Sequence, residues 1–240
     1  MGQGINPINA SSASVSGTQV LGNGHKVSNF VVRETGRNAA GLFGNHKGSI
    51  SELHLKNVIV NSEYKAGALV GSIYGNVTGC SATDVTVTSV PYLTNGSYDG
   101  GNHVGALVGY AAEGSEKTGI YYTYSNNLVE NATVKAYRDV AGLIGTVQTC
   151  VIVTSNTVKN VNVIVDQTTN YYGDETVNAG EVAGRLLGSA SVSGNTVENV
   201  NIAKLVKSVE ADSQGNIALT ENIALADTPF LTKADPTAEE

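Results

Sequence analysis

The stretch Asn156-Thr-Val-Lys-Asn-Val-Asn-Val-Ile-Val165 is restated thirty-nine residues later as Asn195-Thr-Val-Glu-Asn-Val-Asn-Ile202. Both copies alternate β-branched and polar residues with period two, the pattern of a strand with one covered face. A phrase restated in the same order marks a repeat architecture. The remainder of the chain is therefore read first for further copies.

Four more copies of the asparagine phrase precede these two. They are Asn29-Phe30-Val31-Val32, Asn57-Val58-Ile59-Val60, Asp84-Val85-Thr86-Val87 and Asn131-Ala132-Thr133-Val134, and the pair itself contains Asn160-Val161-Asn162-Val163 and Asn199-Val200-Asn201-Ile202. A second phrase, a glycine box, lies in front of all but the first. It reads Ala40-Gly41-Leu42-Phe43-Gly44, Gly67-Ala68-Leu69-Val70-Gly71, Gly105-Ala106-Leu107-Val108-Gly109, Ala141-Gly142-Leu143-Ile144-Gly145 and Gly184-Arg185-Leu186-Leu187-Gly188. The closing glycines are spaced by 27, 38, 36 and 43 residues, so the connections vary while the unit does not.

A unit of two or three short strands cannot cover its own apolar face and must stack on its neighbours. The expected fold is all-β: a right-handed parallel β-helix of about five coils with a C-terminal cap, its equivalent strands about 4.8 Å apart. Leu42, Leu69, Leu107, Leu143 and Leu186 should form one internal ladder, and Val58, Val85, Ala132, Val161 and Val200 another. Each asparagine is expected where the chain turns into a strand, tolerates left-handed backbone angles and can hydrogen-bond its copy one coil away. The glycines let the backbone turn tightly against the core. An antiparallel sandwich is the competing fold, but its strands would not repeat a turn residue and an apolar pair in one order six times.

Composition agrees with strands. Charged residues make up 15% of the 240-residue chain, too few to supply helices with polar faces. The net charge of −7 argues against a nucleic-acid footprint. No apolar run approaches a membrane span. The opening Met1-Gly-Gln-Gly-Ile-Asn-Pro7 lacks a basic and an apolar region, so the chain is read as cytoplasmic or as following a removed export segment.

The glycine box followed by an asparagine-valine phrase resembles the GLUG-type repeats of bacterial surface and adhesin-like proteins. Leu21-Gly22-Asn23-Gly24-His25 is similar to the lead-in that opens such arrays, with Gly22 where an acidic residue is common and Arg185 at a box position otherwise Gly or Ala. The resemblance implies a β-helix over residues 19–202 on an exported protein, placed outside the cell or on its surface. It implies a structural motif and no particular activity. Residues 1–18 then read as a polar lead-in, 203–231 as a capping segment and 232–240 as a disordered acidic tail.

Chemistry is sparse. Cys80 and Cys150 stand two coils apart, beyond disulfide reach, and read as structural thiols. Lys65, His103 and Asp139 align on the closing glycine as an exposed column. It is the best basis for the alternative reading, a β-helix polysaccharide lyase or glycoside hydrolase. Such enzymes need clustered carboxylates, which this column does not supply. Asp99 with Gly100-Gly101-Asn102, and Asp174-Glu175, are candidate oxygen ligands for Ca²⁺; no other cofactor or metal is expected. Three stretches lengthen the unit, Thr88–His103, Tyr110–Asn126 and Asp166–Glu181, and hold eight of the 11 tyrosines. Two leave the same corner, which makes Tyr92, Tyr98, Tyr171 and Tyr172 the candidate binding residues for a glycan or extracellular protein. The expected molecule is a non-catalytic, monomeric surface module.

Overall fold

The computed structural model describes residues 5–8, 18–94, 97–167, 177–211 and 217–225. The chain is all-β, built from parallel sheets visited in a fixed rotation. Each pass lays one strand on a box face, one on a short face and one on a long face. The box face stacks Phe43–Lys47, Val70–Tyr74, Val108–Ala111, Ile144–Val147 and Ala183–Leu186. The short face stacks Val20–Leu21, Ile50–Ser51, Val77–Thr78, Tyr122–Ser125, Val151–Thr154 and Ser191–Ser193. The long face stacks Lys26–Arg33, His54–Ser62, Ser81–Ser89, Leu128–Ala136, Thr157–Gln167 and Thr196–Ala211, all parallel.

The asparagines lie within the long strands rather than at the turns leading into them, and they explain the shape of those strands. In His54–Ser62 the inward residues are Leu55, then Val58, Val60 and Ser62, so one step is three residues rather than two. Asn57 absorbs the extra residue by taking φ 55°, and Asn29, Asp84, Asn131, Asn160 and Asn199 do the same with φ between 52° and 62°. Strict alternation would have turned Val58 outward. A short polar side chain pays least for the left-handed conformation. The amides also link pass to pass: Asn57 donates to Asn29 at 2.7 Å, Asn131 to Asp84 at 3.1 Å, Asn160 to Asn131 at 3.2 Å and Asn199 to Asn160 at 3.1 Å. The valine ladder Val58, Val85, Ala132, Val161, Val200 lies in consecutive register as expected.

The fifth glycine box is corrected by four residues. Val140 pairs with Ala179, Ala141 with Gly180 and Ile144 with Ala183, so the last box is Gly180-Glu181-Val182-Ala183-Gly184. Its closing glycine is Gly184, 39 residues after Gly145, which restores the interval of the asparagine phrases. A Cβ on Gly184 would lie 2.6 Å from the carbonyl oxygen of Gly145, the close passage that defines a box glycine. Gly188 is a glycine for a different reason, a turn at φ 57°. The buried ladder Leu42, Leu69, Leu107, Leu143 therefore ends in Val182, while Leu186 pairs with Val147 and Arg185 with Thr146 beyond the box.

Both ends carry additions. Ile5 and Ile8 bridge to Val32 and Phe43 at the start of the stack. In the expected capping segment, Ile217–Leu225 pairs antiparallel with Ala203–Ala211 on the edge of the long face. The expected acidic tail, 232–240, lies outside the described residues. Among the described residues no helix is long and apolar enough to cross a membrane.

Candidate functional site

The polar residues gather where the long face hands over to the box. Here Glu63-Tyr64-Lys65, the insertion after Ser89, and Tyr137-Arg138-Asp139 occupy the same corner of successive passes. The insertion is a two-stranded hairpin, Pro91–Thr94 against Ser97–Gly100, with Tyr92 half-buried at its base. Tyr98 lies on the returning strand opposite Leu93. Gly100 and Gly101 bring it back at φ 83° and 62°, the Gly101 amide donating to Glu63 O at 2.9 Å. A Cβ on Gly100 would sit 1.7 Å from that carbonyl oxygen, so the glycine pair serves chain passage.

The Lys65–His103–Asp139 column exists, but it is not exposed. The side chain of Asp139 is 1% accessible and that of His103 14%. His103 Nδ1 is 2.7 Å from Thr146 Oγ1 and 3.3 Å from Asp139 Oδ2. Asn178, next in the column, donates to Asp139 Oδ1 at 2.6 Å, and Arg185 approaches Oδ2 at 3.8 Å. Burial, reinforced by the charges of Lys65, Arg138 and Arg185, pushes the His103 pKa down to about 3, so the imidazole is neutral. The sequence could place these residues in one column but not show that their side chains fold over the outer surface of the box face. That surface therefore buries Ser72 and Thr146.

A base in a nucleophile relay uses opposite ring nitrogens for its two partners. Thr146 and Asp139 both face Nδ1, and Thr146 is fully buried. The arrangement suits a polar brace better than a relay.

Aromatic rings complete the corner. The Lys65 ammonium sits 3.7 Å from the centroid of Tyr110 and 5.3 Å from that of Tyr64, and the His103 ring packs edge-on against both. Burial holds the Lys65 pKa below the ordinary lysine range, with Glu113 partly opposing it. Burial, reinforced by Glu113, Tyr74 and Tyr64, raises the Tyr110 pKa, and Tyr74 is 43% exposed on the same face. Tyr64 and Tyr74 stand outside the lengthened stretches and nothing local in the sequence marks them; the fold brings Tyr64 to Lys65 and His103 and sets Tyr74 on the face of Tyr110.

The tyrosine-bearing insertions are also redrawn. Tyr110 belongs to the box face, paired with Ser72 and Thr146, and Tyr122 and Tyr124 to the short face. Tyr124 is fully buried between Val77 and Val153, and burial drives its pKa strongly upward. The insertion written as Asp166–Glu181 ends sooner, because Ala179 and Gly180 already pair with the preceding box. Tyr171, Tyr172 and the Asp174-Glu175 pair lie outside the described residues. No group of three or more His, Cys, Asp or Glu side chains suited to a metal occurs among the described residues. Cys80 and Cys150 are both buried free thiols.

Comparison with curated proteins finds similarity to halomucin of Haloquadratum walsbyi, 32% identical over 111 residues. The match covers 45% of this chain and 1% of that protein, so this chain spans only a small part of its relative. No family model and no solved structure matches.

Proposed function

We propose that the chain is a right-handed parallel β-helix of GLUG-like repeats and serves as a non-catalytic, adhesin-like or structural module of an exported bacterial surface protein. It binds a glycan or an extracellular protein at the corner of the Tyr92 hairpin. The observation that carries this reading is the packing of Tyr64 and Tyr110 against Lys65, with Tyr74 exposed on the box face beside Tyr110 and Tyr92 at the base of the hairpin on the same corner. Tyrosine offers a flat apolar ring with a polar tip, which suits the alternating C–H and O–H surfaces of sugars. The similarity to a segment of halomucin is compatible with a cell-surface setting.

A glycan and matrix-protein array tests the proposal. Wild type is compared with Tyr92→Ala and with a Tyr98→Ala, Tyr171→Ala, Tyr172→Ala triple variant, while thermal melting is followed in parallel. The expected outcome is at least a tenfold loss of binding with an unchanged melting point. Lower melting with binding retained would assign these rings to packing. Turnover of polysaccharides in the presence of calcium, abolished by His103→Ala or Asp139→Ala, would replace this reading with the lyase or hydrolase one.

A further inference from the structure

Among the described residues, the last pass leaves its inner face open. Ala183, Leu186, Val192, Val197, Val200 and Ile202 occupy the columns of Ile144, Val147, Val153, Val158, Val161 and Val163. The six residues of the earlier pass are 0% exposed, whereas all six of the last are only partly buried. Ile217–Leu225 covers the edge at Ala203–Ala211. Among the described residues the edge over Thr196–Ile202 and the last strands of the other two faces have no further strand beside them. The opposite end is more closed: Ile5 and Ile8 bridge across it, and Val32, Phe43 and Ile50 are buried, though Val20, Val27 and Phe30 are only partly so.

We propose that this C-terminal end docks against the same end of a second copy, forming a closed two-fold dimer in place of the expected monomer. The open columns present apolar rows that every earlier pass buries against a neighbour, and what matches them is a second open face with the same rows. The start of a second copy cannot supply it, because residues 5–8 already occupy the outer edges at Val32 and Phe43. A two-fold axis sets the two edges antiparallel, and this edge already accepts an antiparallel neighbour in Ile217–Leu225. Because one patch serves both copies, assembly stops at two. The inference rests on the stack alone and is independent of the tyrosine corner.

Sedimentation equilibrium of the full chain across the micromolar range tests it. The mass should rise with concentration from 24.7 kDa to twice that value and no further. Val200→Lys, and Val192→Lys on a different face, should remain monomeric with wild-type circular dichroism, while Ile8→Lys at the other end still dimerises. In wild type, which needs no substitution, amide exchange over Thr196–Ile202 should slow as the dimer forms. A wild type that stays monomeric, one that grows beyond two, or amides at Thr196–Ile202 that ignore concentration would overturn the proposal. So would a dimer that survives both C-terminal substitutions or is lost on Ile8→Lys.

Discussion

Asn156 and Asn160 stand four residues apart in the opening phrase and hold the chain in different ways. Asn156 is buried: its amide donates to the carbonyls of Tyr124 and Thr154, and its Oδ1 accepts from the backbone and side chain of Asn127. Asn195 supports Asn156 in the same manner, so Asn127, Asn156 and Asn195 form an internal ladder. Asn160 is exposed and holds a left-handed bend at φ 53°. Replacing Asn156 with Ala strands buried donors and acceptors and should cost about 3 kcal/mol. Asn160→Gly, which keeps the bend, should cost well under 1 kcal/mol, whereas Asn160→Val should cost about 2 kcal/mol. Urea unfolding of the three variants separates the roles. Had both asparagines been simple surface turns, the first two substitutions would score alike.

At the scale of the element, the glycine box is set by distances. A Cβ on Gly109 would lie 2.5 Å from the carbonyl oxygen of Gly71 and 2.7 Å from the amide nitrogen of Ala66, both backbone atoms that cannot swing aside. Gly109→Ala should therefore destabilise by roughly 3 kcal/mol or more. Gly119→Ala, with open space around its Cβ, should cost only the strain of φ 65°, about 1 kcal/mol. Thermal melting of the pair checks the contrast. The same reasoning accounts for Gly22, whose Cβ would lie 2.3 Å from Glu52 O; the acidic residue common in the resembling repeats does not fit there. It also explains the four-residue offset of the fifth box between sequence and structure. Gly184-Arg185-Leu186-Leu187-Gly188 has the spelling of a box, but close passage against the backbone of the preceding pass belongs to Gly184, whereas Gly188 meets only the Thr149 side chain. Spelling alone cannot tell a crowded glycine from a turn glycine.

At the scale of the whole molecule, one buried and one largely covered imidazole set the response to acid. His46 takes a core column beside Ile73, and burial lowers its pKa despite a partial offset from a hydrogen bond with the Thr18 backbone. His103 is lowered to about 3. Both folded values lie below the ordinary 6.5, so the unfolded chain takes up protons first as pH falls. Stability should be full above about pH 6.5 and decline continuously toward pH 3, measured as the urea midpoint at each pH. His46→Leu, which matches its apolar column, should raise stability and flatten that slope. Because both thiols are buried and free, melting should be the same with and without a reducing agent.

The sequence by itself determined the repeat, the strand content, the valine ladder and the left-handed asparagines. Each of these depends on residues a few positions apart, where period two and a recurring small set of side chains leave few choices. Only the tertiary structure decided three further matters. It set the true register of the last box, because register depends on which backbone atoms meet across passes. It sorted the tyrosines, burying Tyr124 in the core and drawing Tyr64 and Tyr74 toward Tyr110, because sequence distance says nothing of which face a ring reaches. It also buried Asp139 and covered much of Lys65 and His103, a column whose alignment in sequence suggests an exposed edge. Those side chains lie over the outside of a neighbouring sheet, and nothing local in the sequence records what lies beneath them.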